Sequence, residues 1–144
     1  HEPMSMDEAL ARSRLEQHDH GTLATVHPRR GVDAVPVVYA VHGDHVGIPI
    51  DRVKPKASTT TQRERNLRAD PRAVLLIQHW DAAEWSRLWW VRTHLHWQER
   101  PHPEFESALS ARLADKYAQY RDRPFATVLV LRITRLHAWS AAGH

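Results

Sequence analysis

Lys54 and Lys56 stand two residues apart, with Pro55 between them, where the apolar run Ile48-Pro49-Ile50 gives way to polar residues. Ser58, Thr59, Thr60 and Thr61 follow, all hydroxyl residues suited to cap a helix N-terminus. Ammonium charge, hydroxyls and the free N–H groups of a starting helix together make an anion site, best matched to a phosphate. Pro55 fixes φ, so the turn can be stiff enough for both lysines to reach one ligand. Arg52, Arg63, Arg65, Arg68 and Arg72 crowd the same stretch, with Asp51, Glu64 and Asp70 as the acids among them. They form either a basic rim for an acidic small molecule or an ordinary solvated helix face.

Two other groups could carry chemistry. Of the six tryptophans, Trp80, Trp85, Trp89 and Trp90 lie close together. Rings of this size flank a flat heterocycle, fill a core or line an interface between subunits. On a strand Trp89 and Trp90 point to opposite faces, so one of them must meet a ligand, a partner or water. Among the twelve histidines, His94-Leu95-His96 places two imidazoles on one face. No third ligand accompanies them at a known metal spacing, and no metal is assigned. His18, His20, His42 and His45 fall near turns and are expected at the surface. A nucleophile elbow, a phosphate loop, a dinucleotide glycine fingerprint and paired catalytic carboxylates are all missing. Any reaction would therefore belong to a bound cofactor that the chain positions. No catalytic side chain is nominated.

The totals bound the class. With 144 residues, 42% hydrophobic and 26% charged, the sequence suits a single soluble domain over residues 4–144. His1-Glu2-Pro3 ahead of Met4 reads as an expression leftover. A net charge of +3 is too small to imply nucleic acid. Without cysteine there is neither a disulfide frame nor a thiolate metal site, which fits a cytoplasmic protein. No apolar run reaches the roughly 18–20 residues of a membrane span, and the acidic start does not read as a signal peptide.

The elements that must hold the basic corner follow from patterning. Ser5-Met6-Asp7-Glu8 matches a capping box for a helix to about His18, with Ala9, Leu10, Ser13 and Leu15 near its buried side. Strands are expected at 22–26, 35–41, 45–50, 73–77, 86–98 and 125–139. The apolar second strand should be covered on both faces, and Pro36 places it at an edge or a bulge. Along the fifth strand Trp90, Arg92, His94 and His96 share one face, with Trp89, Val91, Thr93, Leu95 and Trp97 on the other. A short helix ends at Asn66-Leu67-Arg68-Ala69-Asp70-Pro71. A longer one opens at Pro101 and Pro103, with Phe105, Leu109, Leu113, Tyr117 and Tyr120 as its apolar stripe. Six antiparallel strands with about three flanking helices make a mainly β (α+β) domain, best arranged as a small barrel without free sheet edges.

Several segments stand in a familiar order: Val35-Pro36-Val37-Val38-Tyr39, Asp51 with Lys54-Pro55-Lys56, Asn66-Leu67 with Asp70-Pro71-Arg72-Ala73, and Trp85-Ser86-Arg87-Leu88-Trp89-Trp90-Val91-Arg92. In this the chain resembles the flavin and deazaflavin oxidoreductases that share the split β-barrel of pyridoxamine 5′-phosphate oxidase. More narrowly it is similar to an actinobacterial branch of F420-dependent enzymes, over residues 4–140. The resemblance implies a homodimer with a cofactor cleft between subunits. It places the cofactor phosphate at Lys54 and Lys56, beside Asp51, and the ring against Pro36, Val37, Val38 and the strand ending at Ile50. Trp85, Trp89 and Arg92 would close the cleft from the partner subunit, with Arg135 and Trp139 as weaker contributors. The implied activity is hydride transfer from reduced F420 to a small organic acceptor. FMN is the alternative cofactor, and a flavin-, deazaflavin- or haem-binding protein without turnover is the alternative class. Pro49 and Arg52 depart from the pattern and could narrow the ring pocket.

Overall fold

A computed structural model of the chain describes residues 6–50, 61–122 and 127–142. Helix α1 (Glu8–Gln17) leads into strands β1 (Gly21–His27), β2 (Gly31–Val37), β3 (Ala40–His42) and β4 (His45–Ile50). Helix α2 (Gln62–Ala69) precedes β5 (Arg72–His79), and a 3-10 turn (Trp85–Arg87) introduces β6 (Trp89–Trp97). Helices α3 (Pro103–Lys116) and α4 (Gln119–Asp122) come before β7 (Thr127–Ser140).

The strands form one antiparallel sheet of seven, ordered β2-β1-β5-β6-β7-β4-β3. The mainly β expectation holds, with two corrections. Among the described residues there are seven strands rather than six, and β2 and β3 remain as edges, so the sheet is not closed. The extra strand arises because the apolar run 35–41 is broken at Val38-Tyr39. Tyr39 is wholly buried there, and its hydroxyl donates to the Leu15 carbonyl of α1. The second strand is therefore not covered on both faces along its length, and Pro36 is exposed on edge strand β2, where a missing ladder donor costs nothing. Strand β7 joins the two halves of the sheet. Its Leu131-to-Ser140 part pairs with β6 and its Thr127-to-Arg132 part with β4, with a register shift opposite His94 and Leu95.

The helices differ from expectation in their ends. Asp7 caps α1, its carboxylate accepting from the Ala9 amide at 2.7 Å. Ser5 lies outside the described residues. The buried side of α1 is Ala11 and Leu15, one turn apart, while Ala9 is exposed. The stripe from Phe105 to Tyr120 is shared by two helices, because Tyr117 leaves helical geometry at φ −121° and ψ 113°. Among the described residues four α-helices flank the sheet, against about three expected.

Two apolar clusters result. The larger fills the sheet's inner face from Leu23, Leu75, Ile77 and Val91 to Ile48 and Ile50, and takes in Leu15 and Leu67 from α1 and α2. The smaller lies under α3, around Leu109, Leu113, Val128 and Val130. Each fully buried leucine there is worth about 1.5–3 kcal/mol. The close approach of α3 to β4 depends on Gly47, where a Cβ would come within 2.8 Å of Leu109 Cβ. His45, expected at the surface, is buried and stacks on Phe105 with ring centroids 3.9 Å apart.

Candidate functional site

The start of α2 is the first place where chemistry is assembled. Thr61 accepts from the Glu64 amide while Glu64 Oε1 accepts from the Thr61 amide, a complete capping box. That satisfies two of the first-turn amides and leaves those of Gln62 and Arg63 without intrahelical acceptors. The helix is fixed to the sheet by buried Asn66, whose Nδ2 donates to Thr25 Oγ1 at 3.0 Å and to Asp33 Oδ2 at 2.9 Å. Arg30 donates twice to the same Asp33 carboxylate, at 3.1 and 2.7 Å. These hydrogen bonds, Arg30 first and Asn66 second, hold Asp33 at a pKa of about 2. Beside them Arg63 has its Nε buried with no partner, and burial lowers its pKa. Thr25, Asp33, Val35, Thr61, Gln62, Arg63 and Asn66 enclose a cavity of about 240 Å³.

The outer face of the sheet is the second. Strand alternation and the observed register align Pro36, Thr22, Leu76, Arg92 and His137 in one row across five strands. Pro36 and Arg92 are thus three strand spacings apart, about 14 Å, on the same side. The next row holds Ala34, Ala24, Val74, His94 and Arg135. An Arg92 guanidinium nitrogen donates to His137 Nδ1 at 3.1 Å, which requires that ring nitrogen to be unprotonated. The guanidinium also lies 5.1 Å over the Trp90 ring, and its Nε is buried without a partner. A cavity of about 390 Å³ opens on this face between Ala24, Val26, Val74 and His94. Another, of about 410 Å³, lies among Gln78, Trp80, Leu88, Trp89, Trp90 and Trp139.

The sequence-derived site residues divide between these places and the core. Asp51, Lys54 and Lys56 lie outside the described residues, as do Arg52, Ser58, Thr59 and Thr60. Pro36 and Arg92 share the outer face, with half-buried Trp139 beside Trp90 and exposed Arg135 one row away. Val37 and Ile50 are buried in the main core, and Val38 packs partly against the cluster under α3. Trp89 faces inward, with the Arg14 guanidinium 4.6 Å from its ring and His18 edge-on at 5.5 Å. Trp85 is 67% exposed and meets only the edge of Trp80 among described rings, at 5.8 Å. Sequence reasoning missed Asp33 and Thr25 as partners of α2, because they lie 33 and 41 positions from Asn66. The Thr61-x-x-Glu64 capping box was the available signal for where that helix begins.

Comparison with known proteins places this geometry. Residues 6–140 match the family model described as pyridoxamine 5′-phosphate oxidase. No curated protein matches the sequence. Among solved structures, a conserved hypothetical protein of Mycobacterium tuberculosis superimposes with a TM-score of 0.76 at 20% identity, over 98% of this chain and 89% of that one. A FAD-binding protein of Mesorhizobium loti gives 0.69 at 15% identity, over 93% and 94%. A protein described as an F420 reductase gives 0.56 at 21% identity, over 87% and 94%. At these identities the structural matches establish a shared fold.

Proposed function

The chain belongs to the pyridoxamine 5′-phosphate oxidase family, and on that premise we propose that it is an oxidoreductase that takes a flavin-type cofactor, with reduced F420 as its hydride donor and a small organic molecule as acceptor. The observation that carries this reading is the start of α2. An anionic phosphate would satisfy the buried, unpartnered Nε of Arg63 and the amides of Gln62 and Arg63. Lys54 and Lys56, a few residues upstream in the sequence, would supply the remaining charge, with Asp51 preceding them. The acidic tail of F420 would find a partner in the arginines of α2. The residues present therefore fit a phosphorylated ring compound.

When bound, the cofactor supplies the hydride chemistry. The chain's part is to bind, orient and keep water out. Edge strand β2 carries Asp33 and Val35 toward the cavity at α2 and Pro36 toward the outer face, so phosphate and ring could lie around one rim. The outer face is apolar and half-buried at Val74, Leu76, Trp90 and Trp139. A second copy packed there would make a homodimer and close the cleft, with Arg92 on the shared face. A cytoplasmic enzyme is in keeping with the cysteine-free sequence. Among the described residues no helix is long and apolar enough to cross a membrane.

The second reading keeps the site and replaces F420 by FMN; the family and the FAD-binding neighbour favour it. Equilibrium titration with F420 and with FMN separates the two. The F420 reading expects tighter binding of F420, a colourless protein on purification, and oxidation of reduced F420 by a member of a quinone, enone and tetrapyrrole panel. A yellow protein that retains FMN would replace F420 by FMN. Binding without turnover of any acceptor would make the protein a carrier.

A further inference from the structure

His18, Asp19 and His20 form the link between α1 and β1, and one donor atom from each lies within 4.8 Å of the others. We propose that this trio binds one borderline divalent metal ion, zinc or its neighbours cobalt, nickel and copper, through two imidazoles and a carboxylate, with water completing the coordination. Nitrogen-rich donor sets favour these ions, whereas calcium and magnesium require oxygen ligands.

The backbone holds the trio in place before any ion arrives. The His18 amide closes α1 on the Arg14 carbonyl at 3.0 Å. The Asp19 carbonyl lies 2.8 Å from the Tyr117 hydroxyl, which is anchored in the cluster under α3. Gly21 then pairs with Val37, and a Cβ at that position would meet the Leu76 carbonyl oxygen at 2.9 Å, so the start of β1 has no room to shift. The His18 ring is further fixed edge-on to Trp89 at 5.5 Å, and its centroid is 5.7 Å from that of His20. His18 and His20 are two residues apart in a non-helical segment, which brings their rings to one side. Asp19 Oδ1 and His20 Nδ1 are already in contact at 2.5 Å, so two of the three donors need no large movement to meet one ion.

The surrounding charges are mixed. Burial acts most strongly against positive charge at His18 and Asp19 in favour of it, with His20, Lys116 and His79 opposing it less; at Lys116 burial again opposes the charge, and Asp19 and Glu16 favour it. The Lys116 ammonium is taken up by the Tyr39 carbonyl at 3.1 Å, and the Arg14 guanidinium by the Trp89 ring. Among the described residues, Asp19 is the carboxylate grouped with the two imidazoles. The site thus suits an exchangeable ion better than a buried structural one. The chain's other His-x-His pair, His94 and His96, lies on the outer sheet face without a third ligand among the described residues, and serves as an internal control.

The test is calorimetric titration of the full chain with zinc chloride, on wild type, His18→Ala, His20→Ala and the double variant His94→Ala/His96→Ala. The proposal expects a site of one ion per chain, weakened at least about tenfold by either single change and unaltered by the double one. Cobalt should quench Trp89 emission in step with binding, and Trp89→Phe should reduce the quenching while the zinc isotherm persists. His20 is largely exposed, so His20→Ala decides the matter if His18→Ala fails to fold. Unchanged zinc affinity in His20→Ala, or loss confined to the His94/His96 variant, overturns the proposal.

Discussion

Asn66 donates its side-chain amide to Oδ2 of Asp33 at 2.9 Å, joining α2 to the edge strand of the sheet. The same nitrogen donates to Thr25 Oγ1, so one buried side chain sets where the first turn of α2 lies relative to β1 and β2. That turn is the proposed phosphate site, and its position rests on these two contacts of Asn66. Asn66→Ala should cost about 1–3 kcal/mol, because it removes buried hydrogen bonds and leaves the Thr25 hydroxyl without its donor. Urea denaturation measures this. A loss below about 0.5 kcal/mol would mean that α2 is held mainly by Leu67.

Asp33 gives α2 an acid sensitivity of known sign. Its folded pKa of about 2 is below the ordinary 3.8, so the stabilisation is present above pH 4 and is lost as pH falls toward 2. Asp33→Asn should flatten the acid limb of the stability–pH curve between about pH 4 and 2. An unchanged limb would place the acid sensitivity elsewhere, with Asp70 the next candidate, since its hydrogen bonds with Arg72 also hold it at about 2.

At alkaline pH the relevant group is Lys116, whose pKa burial lowers from 10.5 to about 8. The unfolded chain holds that proton up to higher pH than the folded one, so stability should rise from pH 8 to pH 10. Above about pH 10 the trend should reverse. Burial raises the pKa of Tyr39, so the folded protein keeps a proton that the unfolded chain gives up. Thermal melts of Lys116→Met should lack the rise from pH 8 to 10, and a rise equal to wild type would contradict the assignment.

The outer sheet face supplies the test of assembly. Leu76 sits in the row between Pro36 and Arg92, half-buried on the face opposite the core residues Leu75 and Ile77. Leu76→Arg should convert a dimer to a folded monomer in sedimentation velocity, since an unpaired charge would be buried in the interface. A wild-type protein that sediments as a monomer would remove the two-copy cleft.

Much of this arrangement was legible in the sequence, and what was not has a common cause. Period-two alternation assigned both faces of β6 correctly, because burial follows the pleat from Trp90 to Trp97. Pro36 marked an edge strand, since its missing N–H is tolerated only there or at a bulge. The break at Val38-Tyr39 was hidden inside an unbroken apolar run, and its causes are the distant partners Leu15 and Tyr117. The separation of α4 from α3 was hidden likewise, because Tyr117 and Tyr120 continue a helical spacing that the chain itself does not follow. The link His18-Asp19-His20 read as surface turn, and only the anchoring of the segment at Arg14, Tyr117 and Val37 brings its donor atoms together.

A phosphate-bearing cofactor gripped beside the start of α2 is central to the proposed function. The most direct measurement is fluorescence titration of F420 against wild type and Lys54→Ala/Lys56→Ala, with circular dichroism to confirm folding. The prediction is an affinity reduced at least about tenfold, or about 1.4 kcal/mol, in the double variant. Equal affinity in the two proteins would contradict it.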